Sequence, residues 1–152
     1  AGALADTLTS AGGLLPSGAS LSAADLQTVL DVREGLRALV AGADGGHDPD
    51  TATLDPLRRV ADSGRLLTTL DDDGRVLVTP AGDTLADGLL GLLLIVGQAQ
   101  QDGSWQLLKA CANDDCQWVF YDGSRNHRGM WCEMASCGNK LKNRQFRARR
   151  RA

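Results

Sequence analysis

The residues in this chain able to do chemistry at a recognisable spacing are four cysteines. They fall as Cys111-x4-Cys116 and Cys132-x4-Cys137, fifteen residues apart, and all lie in the last 42 residues. Zinc takes four thiolates in a tetrahedron, and ligands paired two to four residues apart let one tight turn supply both. That spacing predicts one zinc ion held by Cys111, Cys116, Cys132 and Cys137. Two disulfides are the alternative; they need an oxidising compartment, and nothing in the sequence suggests export. His127 is a further candidate ligand in place of one cysteine. Four thiolates fill the shell of the ion and leave no position for water or substrate, so the metal is expected to be structural.

No catalytic residue is nominated, and an enzyme is not expected. The chain has no phosphate-cradling glycine loop of known spacing and no Ser-His-Asp order. His47 and His127 are its only near-neutral bases. Asp122 and Ser124 read as turn residues.

A second pattern follows the last cysteine. Lys140, Arg144, Arg147 and Arg151 recur at helical spacing and would form one stripe on a helix over about 137–150. Lys142, Arg149 and Arg150 add charge beside it, and Arg125 and Arg128 precede Cys132. A metal-anchored cationic helix suits DNA phosphates or a groove, with Arg125, Arg128, Lys140, Lys142, Arg144, Arg147 and Arg151 as the candidate contacts. A solvated helix end, whose cations favour its dipole, has the same composition. Asn139 could read a base edge, but bonding backbone near the metal is the preferred reading. Trp118, Phe120 and Trp131 are expected in the core of the module, with Tyr121 outward.

The elements that must position these residues divide the chain in two. Residues 1–104 carry 6 Lys/Arg against 15 Asp/Glu, a net of −9, whereas residues 105–152 carry 10 against 4, a net of +6. All six aromatic residues lie at or beyond Trp105. This predicts an aliphatic domain over 1–104 and a compact aromatic module over 105–152. In the first, residues 4–8 read as the end of a helix, followed by a break at Pro16-Ser17-Gly18. Ser22 and Asp25 open a helix over about 22–41, with Gly42 as its stop. A loop at 42–50 leads to a helix over about 52–62 with Pro56 near its first turn. Strands at 66–70 and 76–79 flank an Asp-Gly turn. A helix over about 82–101 is apolar on nearly every side and so predicted to be buried. Its Gly88, Gly91 and Gly97 are expected at close contacts. In the module, residues 107–110 could pair with the strand 117–121. The module has too little core to fold alone. Metal binding would supply folding free energy on the order of 10 kcal/mol or more. The longest apolar run, residues 89–96, is far short of the ~20 residues that cross a bilayer. A soluble, cytoplasmic protein is expected.

The motif Cys111-x4-Cys116-x3-Phe120-Tyr121-Asp122-x-Ser124-Arg125-Asn126-x-Arg128-x2-Trp131-Cys132-x-Met134-x2-Cys137-Gly138-Asn139-Lys140 resembles the CGNR-type zinc finger of bacterial proteins, over residues 107–151. That finger is joined in its family to an N-terminal helical-plus-hairpin domain called ABATE. The N-terminal resemblance rests on element order and on patterning such as Leu30-Asp-Val-Arg-Glu-Gly-Leu36. The resemblance implies a stress-induced transcription regulator whose four cysteines bind zinc and whose finger contacts DNA. It also implies an N-terminal domain that senses a small-molecule effector or mediates assembly, as in a homodimer. Two positions depart from the family: Lys140 replaces Arg, losing the bidentate fork, and Gly129-Met130 replace paired Arg. The usual first strand of the N-terminal domain has no evident counterpart.

The expected fold class is α+β: a mostly helical N-terminal domain with one β-hairpin, then a small four-cysteine zinc module made of a short β-hairpin and a C-terminal helix. The expected function is DNA-binding transcription regulation. The alternative is a zinc-stapled protein–protein interaction or ligand-sensing module that does not touch DNA, its basic helix docking on an acidic protein surface.

Overall fold

A computed structural model describes residues 21–43 and 49–150. The turns predicted at residues 4–8, the break at 16–18, His47 and Arg151 lie outside the described residues. The chain divides into two compact units, residues 1–36 with 50–99, and residues 37–49 with 100–152.

Helix α1, Ala23–Ala43, opens on the predicted reciprocal cap. The Asp25 N–H donates to Ser22 Oγ at 3.1 Å, and the Ser22 N–H donates back to Asp25 Oδ2 at 2.9 Å. Two amide donors that the helix cannot satisfy itself are thereby paired. The helix runs through Gly42 rather than stopping there. Helix α2, Thr51–Ser63, is capped by Asp50, whose side chain accepts from the Ala52 N–H at 3.4 Å. Pro56 lies inside this helix instead of in its first turn. It leaves the Ala52 carbonyl without its intrahelical donor. Leu57 and Val60 are buried from α2, as is Val32 from α1. At Gly35 an added Cβ would meet Leu57 Cγ at 3.0 Å and the Thr53 carbonyl oxygen at 3.1 Å. Glycine suits that approach: a Cβ there would make the two helices give by a few tenths of an ångström.

Strands β1, Leu66–Leu70, and β2, Val76–Pro80, pair antiparallel as predicted, in a register that sets Thr68 opposite Val78. Asp71 builds the turn: its Oδ1 accepts from the Asp73 N–H at 3.0 Å and the Arg75 N–H at 2.8 Å. Gly74 supplies the left-handed residue at φ 75°.

Helix α3, Leu85–Asp102, opens on a second reciprocal cap, Thr84 with Asp87, that the sequence reading does not anticipate. The expectation that α3 is buried on all sides is corrected. Leu89 and Leu90 are buried, but Ile95 is 63 % exposed. The described residues cover only part of its apolar surface. Nor does every glycine serve packing: among the described residues a Cβ at Gly97 would meet nothing within 4 Å. A cleft of about 340 Å³ opens where Asp25, Asp31, Pro56, Arg59, Leu85 and Leu89 converge.

The other unit contains a 3-10 turn at Ser104–Leu107, then β3, Leu108–Ala110, paired antiparallel with β4, Val119–Tyr121. A π-helical turn, Met134–Gly138, continues into α4, Asn139–Arg149. The class is α+β, with both hairpins and the terminal helix where they were expected. Among the described residues no helix is long and apolar enough to cross a membrane.

Candidate metal centre and basic helix

Each cysteine is placed by a specific piece of backbone. The ladder of β3 and β4 continues one step beyond the strands, where the Cys111 N–H donates to the Trp118 carbonyl at 2.9 Å. The next amide, Ala112 N–H, donates to the Met130 carbonyl at 2.8 Å. That bond draws the segment before Cys132 alongside Cys111. Between the first two ligands the Asn113 carbonyl accepts from the Cys116 N–H at 2.8 Å and the Gln117 N–H at 3.1 Å. Gln117 turns the chain at φ 50°. The fourth ligand sits in the π turn, where the N–H groups of Cys137 and Gly138 both donate to the Glu133 carbonyl at 3.1 Å.

The four sulfurs meet. All Sγ atoms lie within 4.8 Å of one another. The Cys116–Cys132 and Cys132–Cys137 separations are 3.8 Å each. A tetrahedron of zinc–sulfur bonds of about 2.3 Å has an edge of about 3.8 Å. A disulfide would bring two sulfurs to about 2.05 Å, and all four cysteines are free thiols. Cys111 and Cys137 are buried, while Cys116 and Cys132 are half-buried.

The electrostatics ask for a cation. Burial pushes the Cys132 thiol up to about 12, and the neighbouring Cys116, Cys111 and Cys137 add to the rise. The side-chain bond from Asn113 pulls the Cys137 thiol down to about 7. Four sulfurs this close cannot all hold negative charge unless a positive ion sits among them. Asn113 is buried and donates its side-chain N–H to Cys137 Sγ at 3.5 Å. Such an outer-shell bond orients a metal ligand. The donor set and its dimensions fit zinc, which Cys111, Cys116, Cys132 and Cys137 would hold.

His127 is not part of this cluster. It occupies a left-handed position at φ 48°, and its Nδ1 lies 3.1 Å from the Asp122 carbonyl oxygen. Asp122 is more than a turn residue. It is buried and organises the loop over residues 122–129. The Ser124 hydroxyl donates to its Oδ1 at 2.5 Å, and the Gly129 N–H donates to its Oδ2 at 2.7 Å. The Lys109 ammonium, also buried, lies 3.1 Å from Oδ2 and donates to the His127 carbonyl at 2.6 Å. The Ser124 hydroxyl is the largest of the influences that hold the Asp122 carboxyl well below the usual carboxylate range. The Gly129 amide and Lys109 add to it, and burial opposes.

The cationic residues differ in what they touch. Arg144 and Arg147 are exposed on α4, and among the described residues neither has an ion pair. Lys140 is exposed and 3.9 Å from Asp115. The Lys142 ammonium stands over the Trp131 ring, 5.4 Å from its centroid. Arg125 and Arg128 are exposed on the loop that Asp122 holds.

Three side chains depart from the sequence reading. Trp118, expected in the core, is 63 % exposed and lies one residue before β4. Asn139 is exposed and contributes a backbone N–H, to the Met134 carbonyl. The asparagine that serves the metal site is Asn113. Lys109 is absent from the sequence reading; a lysine facing Phe120 across paired strands, one strand end away from Asp122, is the available signal.

Two family models match the chain. The model of the CGNR zinc finger matches residues 108–150. The model of ABATE, described as "putative stress-induced transcription regulator", matches residues 1–114. A search of curated proteins finds no match.

Proposed function

Since the chain belongs to the ABATE family and carries a CGNR zinc finger, we propose that it is a transcription regulator that binds DNA directly through α4. The observation that carries this reading is the pair Arg144 and Arg147, exposed on a helix that continues directly from the turn seating the ligand Cys137. A guanidinium with no carboxylate partner among the described residues is available to a phosphate, and a helix fixed at one end presents it without a large ordering cost. Arg125 and Arg128 supply flanking backbone contacts. Lys140 and Lys142 contribute less, since Asp115 and Trp131 already engage them.

Zinc, with four sulfurs around it, has a structural role in this reading, and no reaction is assigned to it. The cleft between Asp31, Arg59 and Leu89, lined by both charged and apolar side chains, is where a small-molecule effector would bind.

Mobility shifts of a duplex with the zinc-loaded protein test the proposal. Binding should be present at low salt and weaken steeply as salt rises, because neutralised phosphates release counterions. No shift at low salt with zinc bound counts against DNA and in favour of an acidic protein surface as the partner of α4.

A further inference from the structure

The β1–β2 hairpin is apolar and is left uncovered by the described residues. Leu66, Leu67, Leu70, Val76, Leu77 and Val78 are 44–71 % exposed, and among the described residues no third strand joins the sheet. An isolated two-stranded hairpin is marginal in water, and an apolar edge without a blocking device invites pairing.

The ladder shows which edge is available. Hydrogen bonds from Ala81 N–H to the Arg65 carbonyl, 2.8 Å, and from Asp71 N–H to the Arg75 carbonyl, 3.0 Å, fix its phase at both ends. Bonded and non-bonded pairs alternate along an antiparallel ladder. With the observed register, Leu67 and Thr69 turn their N–H and C=O groups toward β2. Leu66, Thr68 and Leu70 turn theirs outward. The outward residues of β2 are Val76, Val78 and Pro80, and Pro80 has no N–H to offer. The edge of β2 is blunted, and the edge of β1 is whole.

We propose that β1 pairs antiparallel with β1 of a second copy of this chain, across a two-fold axis at Thr68, to make a four-stranded sheet. In this register Leu66 lies opposite Leu70 of the second copy, and Thr68 opposite Thr68. Every outward N–H and C=O of Leu66, Thr68 and Leu70 then has a partner. The charges are self-complementary in the same register. Arg65 precedes β1 and Asp71 follows it, so each Arg65 faces Asp71 of the other copy at both ends of the interface. Asp71 spends only Oδ1 on its own turn, which leaves Oδ2 for the guanidinium. A slip of two residues removes both charge pairs, so the electrostatics select the register that the backbone permits.

Sedimentation velocity of the full zinc-loaded chain, without DNA, over a concentration series tests this, together with amide hydrogen exchange. A monomer–dimer equilibrium is expected, with the amides of Leu66, Thr68 and Leu70 slowing as dimer forms. Thr68→Pro removes outward donors at the axis, and proline is tolerated where the N–H faces away from the ladder. It should raise the dissociation constant about tenfold or more while the inward amides of Leu67 and Thr69 stay protected. Arg65→Glu, which alters no backbone bond, should also weaken the dimer. A chain that stays monomeric at every concentration overturns the proposal, whether its outward amides exchange fast or are covered by another segment. So does a dimer indifferent to both variants. Neither result bears on the mobility shift, so the two proposals fail separately.

Discussion

Asn113 donates its side-chain N–H to the sulfur of Cys137, 24 residues away in sequence, at 3.5 Å. It does so from a buried position. The contact ties the turn that carries Cys116 to the ligand from which α4 departs. A hydrogen bond to sulfur favours its ionised form and sets the direction from which it meets a metal. Asn113→Leu, which keeps the branched shape but lacks the donor, should weaken zinc binding about 10–100-fold. Competition against a chromophoric chelator measures this, and unchanged affinity would remove the role assigned to Asn113.

One zinc per chain is expected by elemental analysis. Its removal by a chelator should unfold the segment around β3, β4 and α4, since the ion supplies folding free energy on the order of 10 kcal/mol. Trp105 is buried and Trp131 half-buried. Both should become accessible to acrylamide quenching on chelation, whereas Trp118 is accessible from the start. Fluorescence unaltered by chelation would contradict a metal-built module.

The arginines and lysines of α4 should separate in salt titrations of DNA binding. Arg144→Ala and Arg147→Ala should each reduce the log–log salt slope by about 1, the loss of one phosphate contact. Lys142→Ala should leave the slope nearly unchanged and instead lower thermal stability, because its ammonium stands over Trp131. A slope unchanged from the parent protein in all three variants would show that α4 is not the contacting surface.

Acid should erode the cap of α3 within a defined window. The Thr84 hydroxyl, followed by the Thr84 amide, holds the Asp87 carboxyl below its ordinary value of 3.8. A depressed folded value contributes stability above the unfolded one, and that contribution is lost as pH falls through the folded value. The cap should therefore be intact at neutral pH and weaken below about pH 3.8. An NMR titration of Asp87 should show a midpoint under 3.8 in the folded chain, returning toward 3.8 in Thr84→Ala. The same midpoint in both proteins would refute the assignment.

The parts of this molecule that could be read from sequence are those set by local spacing. The cysteines within each pair, the Ser22–Asp25 cap and the Asp-Gly hairpin each depend on residues a few positions apart, and each forms as expected. The Thr84–Asp87 cap uses the same spacing, but the apolar run behind it draws the reading toward burial. What escapes depends on pairing across distance. Lys109 and Asp122 become a buried pair only because the β3–β4 register sets Leu108 beside Tyr121. Asn113 outranks Asn139 at the metal because of where the Cys111–Cys116 turn folds back, which no spacing encodes. Residue type alone assigns Trp118 to a core, and a module this small has no room to bury every aromatic side chain.

The π turn that seats Cys137 gives α4 a clock setting. Each residue advances a helix by about 100°, so the azimuth of Arg144 and Arg147 is counted from one sulfur atom. Insertion or deletion of a single residue between Cys137 and Arg144 would swing the guanidinium groups roughly a quarter of the way around the axis while leaving every ligand in place. The interval between ligand and arginine can therefore change residue type but not length.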